Sequence, residues 1–353
     1  MKKKIKIFLV ISFAILSIFN IIMSHIIVVN ASSSAEIIME IDSKRVVHAI
    51  NENDKKFMAS TTKILTAITI IENCNLTDIV EIKKQTTGVE GSSIYLEAGE
   101  KLSIKDLLYG LMLRSGNDCA LTLAVHCSGS VINFATLMNQ TAQKIGAKNS
   151  NFVNPHGLHD ENHYTTAYDL ALISCYAMKN ETFREIVSTK TINIPFTTRN
   201  YNRHLVNKNK MLNEFEGSTG IKTGYTKKAG RCLVSSCKRN GIEFICVVLN
   251  CPPMFERSKQ LLSNAFFDYK NYKLVDKNNI IYYDNNINLP CYIKNDVILP
   301  LTNDEINNLN IIYEYDKNLK KPTKKHKEVG LIKIYYKNNL LFSEKIYTIL
   351  DIN

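Results

Sequence analysis

Asn240-Gly241 stands between two apolar runs, residues 231–238 and 242–249, and this pairing constrains the fold more than any other feature of the 353-residue chain. Asn followed by Gly supplies the two positive-φ positions of a type I′ turn, whose twist matches that of two antiparallel strands. An antiparallel sheet is therefore implied. Residues 35–42 and 45–49 predict a second hairpin, and a short β segment is expected at 221–224, just ahead of the first. Residues 258–269 then carry a helical pattern suited to pack on that sheet.

Between the hairpins the apolar spacing changes. Ile64, Leu65, Ile68 and Ile71 recur at helical intervals, which predicts a long, central helix starting near Ser60. Ser103 followed by Asp106 marks the start of a second helix over 104–113. Ser115, Gly116 and Asn117 interrupt the pattern before a third helix over 120–127, so polar side chains fall on a turn between buried helices. After Tyr269 the composition shifts to Asn, Lys, Tyr and Ile, with alternating runs at 279–283, 297–301, 311–315 and 331–336. These predict a small β-rich domain over 273–353, behind a main domain over 32–270. The expected class is α/β (α+β): an antiparallel sheet with flanking helices and a helical subdomain, plus a small all-β C-terminal domain.

Three short motifs then acquire a context. Ser60-Thr61-Thr62-Lys63 opens the buried helix, Ser115-Gly116-Asn117 lies on the interhelical turn, and Lys222-Thr223-Gly224 lies on a strand before the hairpin. Ser and Lys three residues apart share one helix face. A serine hydroxyl needs a base to become a nucleophile, and Lys63 serves only if burial and a second cation depress its pKa. Lys222 is the expected cation. Ser115 is placed to relay a proton to the leaving amine, and Asn117 to hold Lys63 and a substrate amide. Lys222 and Thr223 are expected to meet a substrate carboxylate. The developing oxyanion requires two donors, for which the backbone N–H groups of Ser60 and Tyr225 are the candidates.

The set SxxK, SxN and KTG is that of penicillin-binding proteins and class A β-lactamases. The flanking segments resemble the low-molecular-mass D-alanyl-D-alanine carboxypeptidases of serine peptidase family S11. They are Met58-Ala59-Ser60, Gly91-Ser92-Ser93 with Leu96, Gly99-Glu100, Ser115-Gly116-Asn117-Asp118, Asn154-Pro155-His156-Gly157-Leu158 and Gly220 to Thr226. The resemblance covers about residues 35–269. It implies a transpeptidase-like fold and an acyl-enzyme on Ser60, with Lys63 as proton acceptor and Ser115 as a further active-site residue. It places Lys222, Thr223, Gly224 and Tyr225 in substrate contact, and adds Arg257 as a residue for the substrate carboxylate. Peptidoglycan stem peptides become the expected substrates and β-lactams the expected covalent inhibitors.

Residues 1–31 have the pattern of a secretory leader: four lysines within the first six residues, an apolar run, and a small-residue end at Ala31. A retained membrane anchor is the alternative. The expected location is extracytoplasmic, in the wall or at the outer membrane face, with peripheral membrane association left open because the C-terminus lacks a clear amphipathic helix. The net charge of +11 falls to +7 once the four leader lysines are set aside, which suits an anionic wall or membrane surface. No nucleic-acid motif, metal-ligand ladder or cofactor motif occurs, and none of these partners is expected. The cluster Lys320, Lys321, Lys324, Lys325 and Lys327 is expected to be a solvated loop. Nine cysteines, an odd number with no compact framework spacing, are expected to be mostly buried thiols. Two rivals remain at this stage: a class A-like β-lactamase, though no Glu-x-x-x-Asn segment lies between Ser115 and Lys222, and a non-catalytic penicillin-binding wall module.

Overall fold

The computed structural model describes residues 33–283, 289–316 and 324–351. The leader at 1–31, together with Lys320 and Lys321 of the basic cluster, lies outside these residues. The main sheet is antiparallel and five-stranded. Its strands are β1 (Ala35–Glu40), β2 (Val46–Ile50), β3 (Ser218–Thr226), β4 (Gly230–Arg239) and β5 (Ile242–Leu249), in the order β2-β1-β5-β4-β3. Arg239 pairs with Ile242 across the two-residue turn, and Asn240 and Gly241 adopt φ of 49° and 78°, as a type I′ turn requires. The first hairpin turns without glycine; Lys44 takes the left-handed conformation instead, at φ 58°.

All eight residues of β5 are buried, because helices cover both faces of the sheet. Ile245, Val247 and Leu249 enter the larger core with Ile37 and Met39, while Phe244, Cys246 and Val248 enter a second core with Leu261, Leu262 and Ala265. The period-2 alternation of a strand assigns neighbours to opposite cores. The second core is closed by the helix Met254–Asp268, which begins four residues ahead of its expected start.

The larger core holds six helices: α1 (Lys63–Asn73), α2 (Ile104–Leu113), α3 (Asn117–Ser128), α4 (Val131–Ile145), α5 (Ala167–Met178) and α6 (Glu181–Ser188). In α1 the first eight residues are all buried, so it is a central helix with no solvent face over that stretch. Caps fix the other starts: Ser103, Ser130, Thr166 and Asn180 each accept the backbone N–H three residues on. The third helix starts at Asn117, not at 120, so Asn117 is its first residue and only Ser115 and Gly116 form the turn.

Beyond the main domain, Lys270–Val275 pairs with Val297–Leu301. A five-stranded antiparallel sheet follows in the spatial order Ile281–Tyr283, Leu289–Tyr292, Asn339–Thr348, Glu328–Tyr336, Leu309–Tyr315. Its own core includes Ile332, Ile334, Ile346 and Leu299. One five-residue helix, Asn303–Asn307, is inserted with a capping box on Thr302 and Glu305. Arg45 joins the two parts: it hydrogen-bonds Glu305 and the carbonyl of Pro300, and lies 5.3 Å from the Tyr269 ring centroid.

Candidate active site

Ser60 lies on a single 3-10 turn, Ala59–Thr62, directly ahead of α1. Ala59 has φ 47°, so the chain reverses into the helix and leaves Ser60 half-buried at its mouth. Two other segments press on this turn. A Cβ on Gly157 would lie 1.9 Å from the carbonyl oxygen of Ala59, and one on Gly224 would lie 3.1 Å from the Ser60 nitrogen. Strand β3 therefore passes against the nucleophile backbone, which brings the KTG motif to Ser60.

Lys63 is fully buried, with Nζ 3.1 Å from Ser60 Oγ, 2.7 Å from Asn117 Oδ1 and 2.6 Å from the His156 carbonyl oxygen. The Asn117 amide is oriented by its Nδ2, which donates to the Glu90 carbonyl at 2.6 Å. Asn117 Oδ1 and the His156 carbonyl only accept, so they take two N–H bonds of Lys63. The third contact, to Ser60 Oγ, sets the amine within hydrogen-bond reach of the hydroxyl whose proton a base at this position would take. Burial first, then the charge of Lys222, holds Lys63 well below the usual lysine range. The expected second cation is thus present. Lys222 is itself 1% exposed, donates to the Thr223 carbonyl at 3.0 Å, and is brought down to about 7 by burial and by the charge of Lys208.

Ser115 caps the gap between α2 and α3 at φ 64°, is 5% exposed, and makes no hydrogen bond with its hydroxyl among the described residues. The adjoining Asp118 is fully buried, and its carboxylate accepts from the Ser93 hydroxyl and the amides of Ile94 and Leu96. The Asn117 backbone amide donates to the Ser92 carbonyl at 2.7 Å. These bonds explain why the segment Gly91-Ser92-Ser93 accompanies the SGN triplet: it fixes the start of α3.

Arg257 is not brought to this group. Its guanidinium donates to both carboxylate oxygens of Glu36, at 2.7–3.1 Å, and to Gln260. Tyr225 points outward with 60% of its surface exposed, which leaves its backbone as the part near the site.

Two participants escape a reading of the sequence, and a third, His163, is legible there only as a loop histidine that edges the cleft or is satisfied within its loop. The His156 carbonyl is a ligand of Lys63, yet a backbone role leaves no trace in side-chain identity. Lys208 donates to Ser92 Oγ at 3.0 Å and bears electrostatically on both buried lysines. His163, 2% exposed, meets Thr62 Oγ1 at 2.7 Å and accepts from the Val153 amide, tying the nucleophile turn to the loop behind it.

Fold and site together fit a serine acyl-transfer enzyme. The sequence family described as D-alanyl-D-alanine carboxypeptidase matches residues 24–252, and that described as penicillin-binding protein 5, C-terminal domain, matches residues 269–353. The chain belongs to the D-alanyl-D-alanine carboxypeptidase family, the serine peptidases of family S11. Among its relatives, the D-alanyl-D-alanine carboxypeptidase DacF of Bacillus subtilis is 32% identical over 259 residues, covering 70% of this chain and 66% of that protein. The DacA carboxypeptidase of Haemophilus influenzae is 29% identical over 326 residues, covering 84% and 79%. Penicillin binding protein 5 from Haemophilus influenzae superposes with a TM-score of 0.78 at 28% identity, covering 90% of this chain and 96% of that one. A mutant of the Streptomyces K15 DD-transpeptidase covers only 65% of this chain, with a TM-score of 0.62 at 31% identity.

Proposed function

We propose that the chain removes the terminal D-alanine from peptidoglycan stem pentapeptides through an acyl-enzyme on Ser60. The observation that carries this is the disposition of Lys63, whose two short contacts go to obligate acceptors and whose third faces Ser60. Lys63 takes the Ser60 proton as Oγ attacks the penultimate D-alanine carbonyl. The oxyanion forms between the amides of Ser60 and Tyr225, each donor being worth about a hundred- to a thousandfold in rate. Ser115 hands a proton to the departing D-alanine nitrogen, and Asn117 keeps Lys63 in line. Lys222, Thr223 and Lys208 receive the terminal carboxylate, with Gly224 keeping β3 close enough to do so. Arg257 is left out of this role, because Glu36 already balances its charge. Water then releases the shortened peptide from Ser60.

β-Lactams are taken as covalent inhibitors at the same serine. The leader at 1–31 is assigned to export and the site to the outer face of the membrane or the wall. No single described helix is long and apolar enough to cross a membrane. The chain is divided at about 270–273 between the catalytic domain, 32–270, and the β-rich domain, 273–353. A second reading, transfer of the acyl group to an amine instead of water, draws on the likeness to the Streptomyces DD-transpeptidase.

Intact-mass analysis after penicillin, with peptide mapping, tests the reading together with release of D-alanine from a pentapeptide. The expected result is one lasting adduct on the peptide holding Ser60, and loss of both adduct and release in Ser60→Ala. Rapid penicillin turnover without an adduct would favour the β-lactamase instead.

A further inference from the structure

We propose that Cys74 and Cys127 form a reversible disulfide that staples the two catalytic helices together at the ends remote from Ser60. Helices α1 and α3 both begin at the site, with Lys63 and Asn117 as their respective first residues. Cys74 is the extended C-cap of α1, and Cys127 lies in the last turn of α3. The eleven residues of α1, rising about 1.5 Å each, set the pair roughly 16 Å from the catalytic lysine. Of the nine cysteines, these two alone are partly exposed, and the other seven are buried. Both pack against the larger core, at the corresponding ends of two neighbouring helices, and each thiol is the leading electrostatic neighbour of the other.

That proximity prepares the pair chemically. Sharing one S–H between two sulfurs makes the first proton easier to lose and the second harder. Cys127 is brought down to about 6 by the Cys74 thiol, aided by Ser128, while Cys74 is pushed up by Cys127, by burial and by Asp78. The Cys127 thiolate attacks one sulfur of a small-molecule disulfide and expels a thiolate, giving a mixed disulfide. Cys74 then loses its proton, attacks the Cys127 sulfur and expels the second thiolate. In total one external disulfide is reduced to two thiols, and one protein disulfide is made. The bond closes a loop of about fifty residues and so restrains the unfolded chain. It also holds fixed the spacing of α1 and α3 on which the Lys63–Asn117 bond depends.

The test uses the full chain, reduced and then incubated with oxidised glutathione, trapped by alkylation and mapped by mass spectrometry. The expected result is the loss of two alkylatable thiols and one cross-linked peptide containing Cys74 and Cys127. With it comes a rise in Tm on the order of 5 °C that dithiothreitol reverses. Cys127→Ser and Cys74→Ser should each keep penicillin acylation and lose the oxidative rise in Tm. Nine alkylatable thiols after oxidation, separate glutathione adducts persisting on the two cysteines, or a cross-link between other cysteines would overturn the proposal. Because the peptide map is read on the unsubstituted chain, misfolding of a variant does not decide the outcome.

Discussion

Replacing Asn117 by Asp tests whether Lys63 acts as a neutral base. The substitution keeps shape and volume but places a carboxylate oxygen where Oδ1 now stands, 2.7 Å from Lys63 Nζ. At an effective dielectric of about 20, two unit charges at that separation attract by about 6 kcal/mol, or about four pKa units. The unprotonated fraction of Lys63 then falls about tenfold for each unit by which the raised pKa stands above the assay pH. The sign is fixed: an adjacent negative charge opposes the burial and the Lys222 charge that now hold Lys63 down. The second-order rate constant for acylation by a fluorescent penicillin, followed from about pH 6 to 10, should fall about a hundredfold near pH 7 and recover about tenfold per pH unit. Asn117→Ala provides the control, since it loses the bond without adding charge and should show a deficit that pH does not repair. A rate for Asn117→Asp within about threefold of the parent, or a deficit equal at every pH, would refute a neutral Lys63 as the proton acceptor.

Gly157→Ala should lower acylation by about a hundredfold or more, because φ is +86° and the new Cβ falls 1.9 Å from the Ala59 carbonyl, forcing the nucleophile turn to move; unchanged acylation kinetics would contradict that. Burial above all brings His156 and His163 down to about 3, against about 6.5 in an unfolded chain. The unfolded chain therefore binds more protons between those values. Stability contributed here is complete above about pH 6.5 and falls with pH by up to about 1.4 kcal/mol per unit for each histidine. A Tm titration should show that slope, and His163→Asn should make it shallower. Glu100→Gln strands the guanidinium of Arg203, which is 7% exposed and also serves the carbonyls of Ile94 and Tyr95. A loss of about 3–5 kcal/mol, near 10 °C in Tm by scanning fluorimetry, is expected, and a shift below about 2 °C would count against it.

How much of this is legible in the sequence depends on what kind of signal each part leaves. The hairpin at Asn240-Gly241 can be read because a type I′ turn has a residue requirement, and α1 because Ile64, Leu65 and Ile68 keep its period. Helices α4, α5 and α6 leave no comparable mark. Residues 131–188 mix apolar and polar residues around loops whose register is set by caps such as Thr166 and Asn180, and these are recognised only once the helix is known. The start of α3 lies three residues ahead of its expected place because Asn117 looks like a turn residue, although its side chain is needed inside, on Lys63. Arg257 departs from expectation for a similar reason. Its sequence position suggests the substrate carboxylate, but Glu36 lies about 220 residues away in the chain, and nothing local announces the pair.

The electrostatics of the site explain why the base and the carboxylate pocket belong together. Lys63 and Lys222 are buried and Lys208 stands at their edge, three lysines whose charges would repel in one place. The nearest buried carboxylate, Asp118, is already saturated by Ser93, Ile94 and Leu96. A desolvated lysine without a carboxylate partner is held below the usual lysine range, which favours the unprotonated form of Lys63. In the proposed reaction the terminal D-alanine carboxylate brings a negative charge to this group. Beside Lys222 that charge would offset the repulsion that holds Lys63 down, raising the affinity of Lys63 for the Ser60 proton and, as in Asn117→Asp, for a solvent proton as well. Under that proposal a substrate without the carboxylate meets the same serine but a weaker base.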